Sequence, residues 1–107
     1  MATSTIKAQS LRSLFTISEV AYDGLTVSKG SSYNVFNSYT VSKSGYYPIG
    51  ITGYRIWGSW STFLFITRCE LDNNANGSAS LFLTLKNNAS SDATGINGVV
   101  KILWKKV

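Results

Sequence analysis

Histidine is absent from this chain, and cysteine, proline and acidic residues are scarce. Among 107 residues there is no His, one Cys, one Pro and five acidic residues. General acid–base catalysis needs a titratable side chain beside its target, most often His or a carboxylate with a shifted pKa. Metal sites need clustered His, Cys or carboxylate ligands. The composition therefore argues against an enzyme, and we expect no catalytic residues, no bound metal and no cofactor.

The lone cysteine and the lack of long apolar runs bear on the compartment. Cys69 lies in the alternating run 63–69, which predicts a small buried side chain rather than a reactive thiol. No apolar run approaches the ~20 residues of a membrane helix. The Ser- and Thr-rich start of the chain has no continuous apolar region typical of a signal peptide. We expect neither membrane insertion nor a signal peptide.

Charge is sparse and basic. Charged residues make up 14 % of the chain, and ten cations against five acids give a net charge of +5. Proteins that bind nucleic acids usually gather their cations on one face or stripe. Here the cations are spread along the chain, and Lys105-Lys106 is the only adjacent pair. Scattered solubilising charge is therefore expected, and a nucleic-acid partner is not, although a titration at low salt would test that alternative.

Alternation with a period of two dominates the patterning, and helical periodicity is nearly absent. Val100, Ile102 and Trp104 fall on one face of a predicted strand, which is the pattern of a strand with one buried side. A second strand has its predicted inward residues at Ala79, Leu81, Leu83 and Leu85. Asp23-Gly24 is typical of a tight turn. Seven candidate strands follow, at 15–20, 25–27, 32–41, 47–57, 63–71, 79–86 and 99–105.

About seven short strands with regular turn signals predict an all-β fold, an antiparallel, jelly-roll-like β-sandwich. In the fifth candidate strand, the alternation predicts that Phe63, Phe65 and Cys69 share a face opposite Leu64 and Ile66. The sandwich domain is expected at 14–107. The weakly patterned stretch 1–13 is expected to be an N-terminal arm or linker.

Aromatic residues concentrate between positions 46 and 60. Trp60 lies in a Gly- and Ser-rich segment, a setting that predicts an exposed ring. Exposed rings stack on the apolar faces of sugars, while Asn, Ser and Arg donate to sugar hydroxyls; the same surface suits a protein interface. For Tyr54 and Trp57, packing in the core or between subunits is the alternative. The candidate carbohydrate-binding residues are Trp60, Trp57, Tyr54, Tyr46, Tyr47, Arg55, Asn73 and Asn74.

Two segments of the chain resemble a known group of proteins. One is 38–54, which contains Ser44-Gly45-Tyr46-Tyr47-Pro48-Ile49-Gly50-Ile51, and the other runs from Leu81 through Asn87-Asn88-Ala89 to the closing strand 99–104. Together they resemble C-terminal domains of phage and prophage tail proteins, the receptor-binding modules of tail fibres, tail tips or baseplates. The resemblance spans about 33–105 and supplies no shared binding motif.

The resemblance implies a β-sandwich head, commonly a homotrimer at the end of a fibre. It also implies a partner, either a host cell-surface glycan or another phage tail protein. The location would be the virion, or a bacterial cell carrying the prophage. A trimer suits the mixed strand faces that carry Val99, Leu103 and Phe82, because large exposed apolar patches usually mark interfaces and cyclic symmetry buries the same patch in every copy.

Other functions remain alternatives at this stage. A standalone carbohydrate-binding, lectin-like module would use the same aromatic residues as a monomer or dimer. A hydrolase would need its few acids to converge in space, as two carboxyls do in glycosidases, yet Glu70 and Asp72 lie next to a turn. The oxygen-rich loop 72–77 lacks the ligand pattern of a calcium-binding EF-hand and is interpreted as a hairpin turn.

Overall fold

A computed structural model describes residues 14–59 and 61–107, and their regular structure is almost entirely β-strand. A single 3-10 turn at Ser61–Phe63 precedes the fourth strand. The predicted arm at 1–13 lies outside the described residues. The strands are β1 (Phe15–Val27), β2 (Ser32–Val41), β3 (Tyr46–Trp57), β4 (Leu64–Asn73), β5 (Ala79–Asn87) and β6 (Ala93–Lys106).

The six strands form two antiparallel three-stranded sheets. The strand order is β1-β6-β3 in one, called the β6 sheet here, and β2-β5-β4 in the other, the β5 sheet. The all-β, antiparallel prediction is thereby confirmed. The β4–β5 hairpin stays within the β5 sheet, and every other connection between consecutive strands passes from one sheet to the other. The central strands β5 and β6 are consecutive in the chain.

The described part of the chain has six strands rather than about seven, because the predicted turn at Asp23-Gly24 is a bulge within β1. The pairing register of β1 with β6 shifts between Tyr22 and Leu25. Gly24 has φ of 64°, the left-handed conformation that a bulge commonly assigns to glycine. Its N–H donates to the Asn97 side chain at 3.0 Å. A turn-forming dipeptide therefore bends one long strand instead of separating two.

The core lies between the inner faces of the two central strands. Leu81, Leu83 and Leu85 of β5 are fully buried, as are Val100 and Ile102 of β6, and residues of both sheets belong to one hydrophobic cluster. Burying a Leu, Ile or Val side chain contributes about 1.5–3 kcal/mol relative to leaving it exposed. The inward residues predicted from alternation in these two strands are confirmed.

The prediction for the face of β4 is wrong over its first half. Leu64 and Ile66 pack against the core together with Cys69, while Phe65 is 54 % exposed. The register of β4 with β5 shifts between Ile66 and Arg68. An extra residue at this bulge reverses the phase of the alternation, so residues that share a parity on either side of it lie on opposite faces.

Asn87 joins the two sheets at one end of the molecule. Its side chain is fully buried, and its amide nitrogen donates to the Val27 and Ser91 carbonyls at 2.9 Å each. Its amide oxygen accepts from the Ala89 N–H at 2.8 Å. Each of these polar atoms is satisfied, as a buried amide requires. This Asn87 end also carries the end of β3, whereas the start of β3 and the β4–β5 hairpin lie at the opposite end.

Candidate functional site

Strand β3 carries five of the eight predicted carbohydrate-binding residues, and its register divides them between two faces. Its ladder with β6 puts Tyr47, Arg55 and Trp57 on the outer face of the β6 sheet, and Tyr46 and Tyr54 on the side of the core. Tyr46 packs against the core, whereas Tyr54 stays exposed at the sheet edge. Core packing, the alternative predicted for Tyr54 and Trp57, is not seen for either, since both side chains are exposed; packing between subunits stays a prediction.

Arg55 and Trp57 form a close pair at the Asn87 end. The guanidinium carbon of Arg55 lies 5.0 Å from the centroid of the Trp57 ring, the geometry of a cation–π contact. The Trp57 side chain is 40 % exposed and borders a shallow depression of about 330 Å³ that is also lined by Tyr22 and Asn97. The pair offers a ring and five guanidinium N–H donors to a ligand at this position.

Tyr46 and Tyr47, at the start of β3, are too far away to join that pair. Tyr47 and Trp57 lie ten positions apart on β3, which corresponds to about 30 Å along a strand. The Lys43 ammonium lies 5.3 Å from the ring centroid of Tyr46 at the start of the strand. A single saccharide unit does not reach both groups, so the predicted set is not one site.

The two predicted asparagines belong to the β4–β5 hairpin at the end opposite the Arg55–Trp57 pair. Asn74 donates from its backbone to the Ser78 carbonyl at 2.9 Å and from its amide to the Ser78 hydroxyl at 3.1 Å. Its hydrogen bonds thus maintain the turn, as the hairpin interpretation of 72–77 expects. Asn73 ends β4 opposite Ala79. Trp60, the eighth predicted residue, lies outside the described residues and stays a prediction.

A groove that the sequence analysis did not anticipate lies between the edge strands β1 and β2. It has a volume of about 460 Å³, within the range of roughly 300–1,000 Å³ that ligand pockets span. Hydroxyl groups, a carboxylate and one half-exposed ring line it, and buried Trp104 contributes to its wall. The polar and aromatic lining residues are Ser18, Glu19, Tyr39, Thr40, Ser42 and Trp104.

Tyr22 occupies the space above a glycine on the inner face of the β6 sheet. A Cβ added to Gly98 would overlap the Tyr22 hydroxyl, so only glycine leaves room for the ring. The hydroxyl is buried, and no hydrogen-bond partner for it lies among the described residues. Burial, followed by the charge of the Cys69 thiolate, raises the pKa of Tyr22 to about 12.

Titratable groups do not converge elsewhere in residues 14–59 and 61–107. No three His, Cys, Asp or Glu side chains of that part of the chain come close enough to hold a metal ion. Burial raises the pKa of the Cys69 thiol, which lowers the fraction of nucleophilic thiolate. Cys69 packs against the core but is only partly buried, so the prediction of a small buried side chain is met in part.

Comparisons with protein families, with curated proteins and with solved structures find no match for this chain. Within the described residues no helix has the length and apolar character needed to cross a membrane.

Proposed function

We propose that this chain is a non-catalytic structural and receptor-binding module of the phage-tail type, which adheres to host cell-surface glycans as a homotrimer. The two three-stranded sheets would act as the β-sandwich head of a fibre, with a jelly-roll-like arrangement as the finer form of that proposal. Its location would be a phage virion or a bacterial cell that carries the prophage.

The outer face of the β6 sheet is the observation that carries this proposal. Ile17 lies opposite Leu103, and Phe15 and Tyr47 both lie opposite Lys105, which puts these side chains on one outer face. Phe15, Ile17, Tyr47 and the neighbouring Ile49 are all exposed, with Ile17 at 56 %. Lys105 lies between Phe15 and Tyr47 on this face. Exposed apolar side chains gathered on one face of a sheet usually mark an interface, and identical faces are buried together in a closed oligomer.

The aromatic residues support the adhesive part of the proposal. The exposed Trp57 ring beside Arg55 provides stacking surface and donors. A module with one weak saccharide site per chain gains affinity when three copies bind one surface, because the second and third contacts become intramolecular. Oligomerisation and glycan adhesion are therefore linked in this proposal rather than independent of each other.

The absence of catalysis belongs to the same proposal. Nucleophilic hydroxyls are common in this chain, but there is no histidine to activate them. Glu70 is paired with Arg68 at 3.1 Å on an outer face, so it is engaged away from the groove and from the Arg55–Trp57 pair. A glycosidase would need two carboxyls flanking the bond to be cleaved.

Absolute mass in solution tests the proposal. Light scattering on a sizing column is expected to give about three times the chain mass of 11.7 kDa at micromolar concentration. A single-chain mass would contradict the fibre-tip proposal. Glycan binding by such a monomer would instead favour a standalone lectin-like module, and the two functions are separated by this one measurement.

A further inference from the structure

We infer that the groove between β1 and β2 is the glycan-binding site and that it takes a neutral saccharide. This inference rests on the proposed function, whose adhesive role it assigns to a particular surface. The groove is concave, polar and lined by residues of two edge strands that belong to different sheets. None of its lining residues belongs to the set predicted from the sequence.

Tyr39 provides the stacking surface of the groove. Its side chain is 50 % exposed and lines the groove. Its ring centroid lies 5.3 Å from that of Phe36, with an angle of 38° between the ring planes. Phe36 in turn contacts Tyr22 in an edge-on arrangement at 5.9 Å. The Phe36 ring therefore supports one side of the Tyr39 ring. The exposed side of Tyr39 is available for stacking, and a side chain that is already held in place loses little conformational entropy when a ligand binds.

The backbone before Tyr39 is in an unusual conformation. Ser38 has φ of 57° and is the only non-glycine residue with a positive φ in the described part of the chain. The register of β2 with β5 shifts between Phe36 and Tyr39, so Ser38 lies within a bulge. Bulges re-aim side chains, and strained non-glycine conformations concentrate at binding sites. The bulge gives Tyr39 its direction beside the groove.

Hydroxyl groups on both sides of the groove match the chemistry of a sugar. The Trp104 indole N–H donates to the Ser18 hydroxyl oxygen at 2.6 Å. That bond uses Ser18 as an acceptor, so its own O–H is left to donate. Thr40 and Ser42 are also among the residues that line the groove, on the β2 side. Each hydroxyl both donates and accepts, as the hydroxyls of a saccharide require.

Glu19 makes the groove selective for neutral sugars. Glu19 is one of the lining residues and lies opposite Lys101 on the neighbouring strand. When it is ionised, its carboxylate can only accept hydrogen bonds from sugar hydroxyls. A second carboxylate, such as that of a sialic acid, would be repelled by the Glu19 carboxylate where the two groups lie close together. The groove therefore fits uncharged hexose or N-acetylhexosamine units rather than acidic ones.

Glycan binding by the full chain, followed by variant titrations, tests this site. The probes are an array of neutral oligosaccharides built from glucose, galactose, mannose and N-acetylhexosamines, together with their sialylated counterparts. The neutral oligosaccharide that binds best is then titrated into ¹⁵N-labelled protein. The variants are Tyr39→Ala and Thr40→Val, with Tyr33→Ala as the matched control, since Tyr33 is an exposed tyrosine of the same strand. Trp57→Ala reports on the alternative surface.

We expect Tyr39→Ala to weaken binding by about tenfold, the loss of one stacked ring, and Thr40→Val to weaken it less. Tyr33→Ala is expected to bind as the wild type does. Loss of binding in Trp57→Ala alone would overturn the groove as the site and leave the proposed function standing. If Tyr39→Ala does not fold, unchanged binding by Thr40→Val overturns the site and weakened binding supports it.

Two further results would overturn the inference in different ways. Preference for the sialylated probes would overturn the neutral class assigned through Glu19. Absence of binding to every probe at millimolar concentration would overturn both the groove and the glycan-adhesive half of the proposed function. The oligomer half would still be decided separately by the mass measurement.

Discussion

The two sheets have similar inner faces, which are apolar, and different outer faces. On the outer face of the β5 sheet, the Arg68 guanidinium lies 3.9 Å from the Phe82 ring centroid and pairs with Glu70 at 3.1 Å. Thr84 donates to Asn34 across the same face at 2.8 Å. Polar side chains there cover an apolar ring and bond to one another, although Phe65 remains exposed.

The outer face of the β6 sheet has no such cover. Ile17 stands opposite Leu103 and beside Phe15, without a guanidinium or carboxylate pair over them among the described residues. Both sheets use the same alternation of buried and outward residues, so the difference lies in the identity of the outward residues alone. Alternation therefore determines which face is inside, and the chemistry of the outward residues determines whether the other face meets water or a partner.

Ile17→Lys is expected to have the largest effect, dissociating the trimer to single chains. The new ammonium would lie on a face that already carries Lys101 and Lys105, and an unpaired charge buried in an interface costs about 3–5 kcal/mol. Light scattering measures the mass, and Phe65→Lys on the outer face of the β5 sheet is the matched control that should leave it unchanged. Dissociation by Phe65→Lys but not by Ile17→Lys would reverse the comparison of the two faces.

Gly98→Ala is expected to destabilise the fold by about 1–3 kcal/mol, the usual cost of overpacking. The added Cβ would overlap Tyr22 on the inner face and approach the Arg55 carbonyl oxygen at 2.6 Å. Gly53→Ala on β3 is the control, since nothing lies within 4 Å of its Cβ position. Urea unfolding measures both, and equal stabilities would show that Tyr22 moves aside at little cost.

Tyr22→Phe is expected to stabilise the protein by about 1 kcal/mol, because it removes a buried hydroxyl that lacks a partner. A loss of stability would instead indicate that a buried water satisfies this hydroxyl. Tyr33→Phe, at an exposed hydroxyl of the other sheet, should leave the free energy of unfolding at pH 7 unchanged.

The pH dependence of the free energy of unfolding provides a second test of Tyr22→Phe. The pKa of Tyr22 is raised to about 12 in the folded protein from 10.0. Below pH 10 the group is protonated in both states and contributes no slope. Between about pH 10 and 12 the unfolded chain releases the proton while the folded protein retains it, so stability falls as pH rises. Tyr22→Phe should make this fall shallower; an unchanged slope would contradict burial of the hydroxyl.

Arg68→Ala is expected to have a small effect, a loss of about 0.5–1 kcal/mol, because it removes the exposed cation–π contact with Phe82 together with the ion pair to Glu70. Glu70→Gln keeps that contact and removes only the ion pair, so a loss of roughly 0.5 kcal/mol or less is expected for an exposed pair. Thermal unfolding of both variants checks the order. A larger loss for Glu70→Gln would mean that the ion pair, rather than the ring contact, organises this face.

Much of the fold could be predicted because its signals are local. Period-2 alternation located β2 and the inward residues Leu81, Leu83 and Leu85, since each strand residue alternates sides independently of its partners. The phase of β4 was mispredicted because a bulge at Thr67 depends on the partner strand. The predicted site residues lie apart for a similar reason. Residues that are neighbours along β3 alternate between the two faces of the sheet.

The sequence by itself determined the β class, the positions of most strands and the lack of histidine anywhere in the chain. Only the tertiary structure decided that Gly24 bends one strand, that β6 lies between β1 and β3, and that Ser18 and Tyr39 line one groove. Alternation is set by the geometry of each strand, whereas pairing and grooves depend on contacts between residues far apart in the chain. Those contacts exist only when the two sheets close over their shared core.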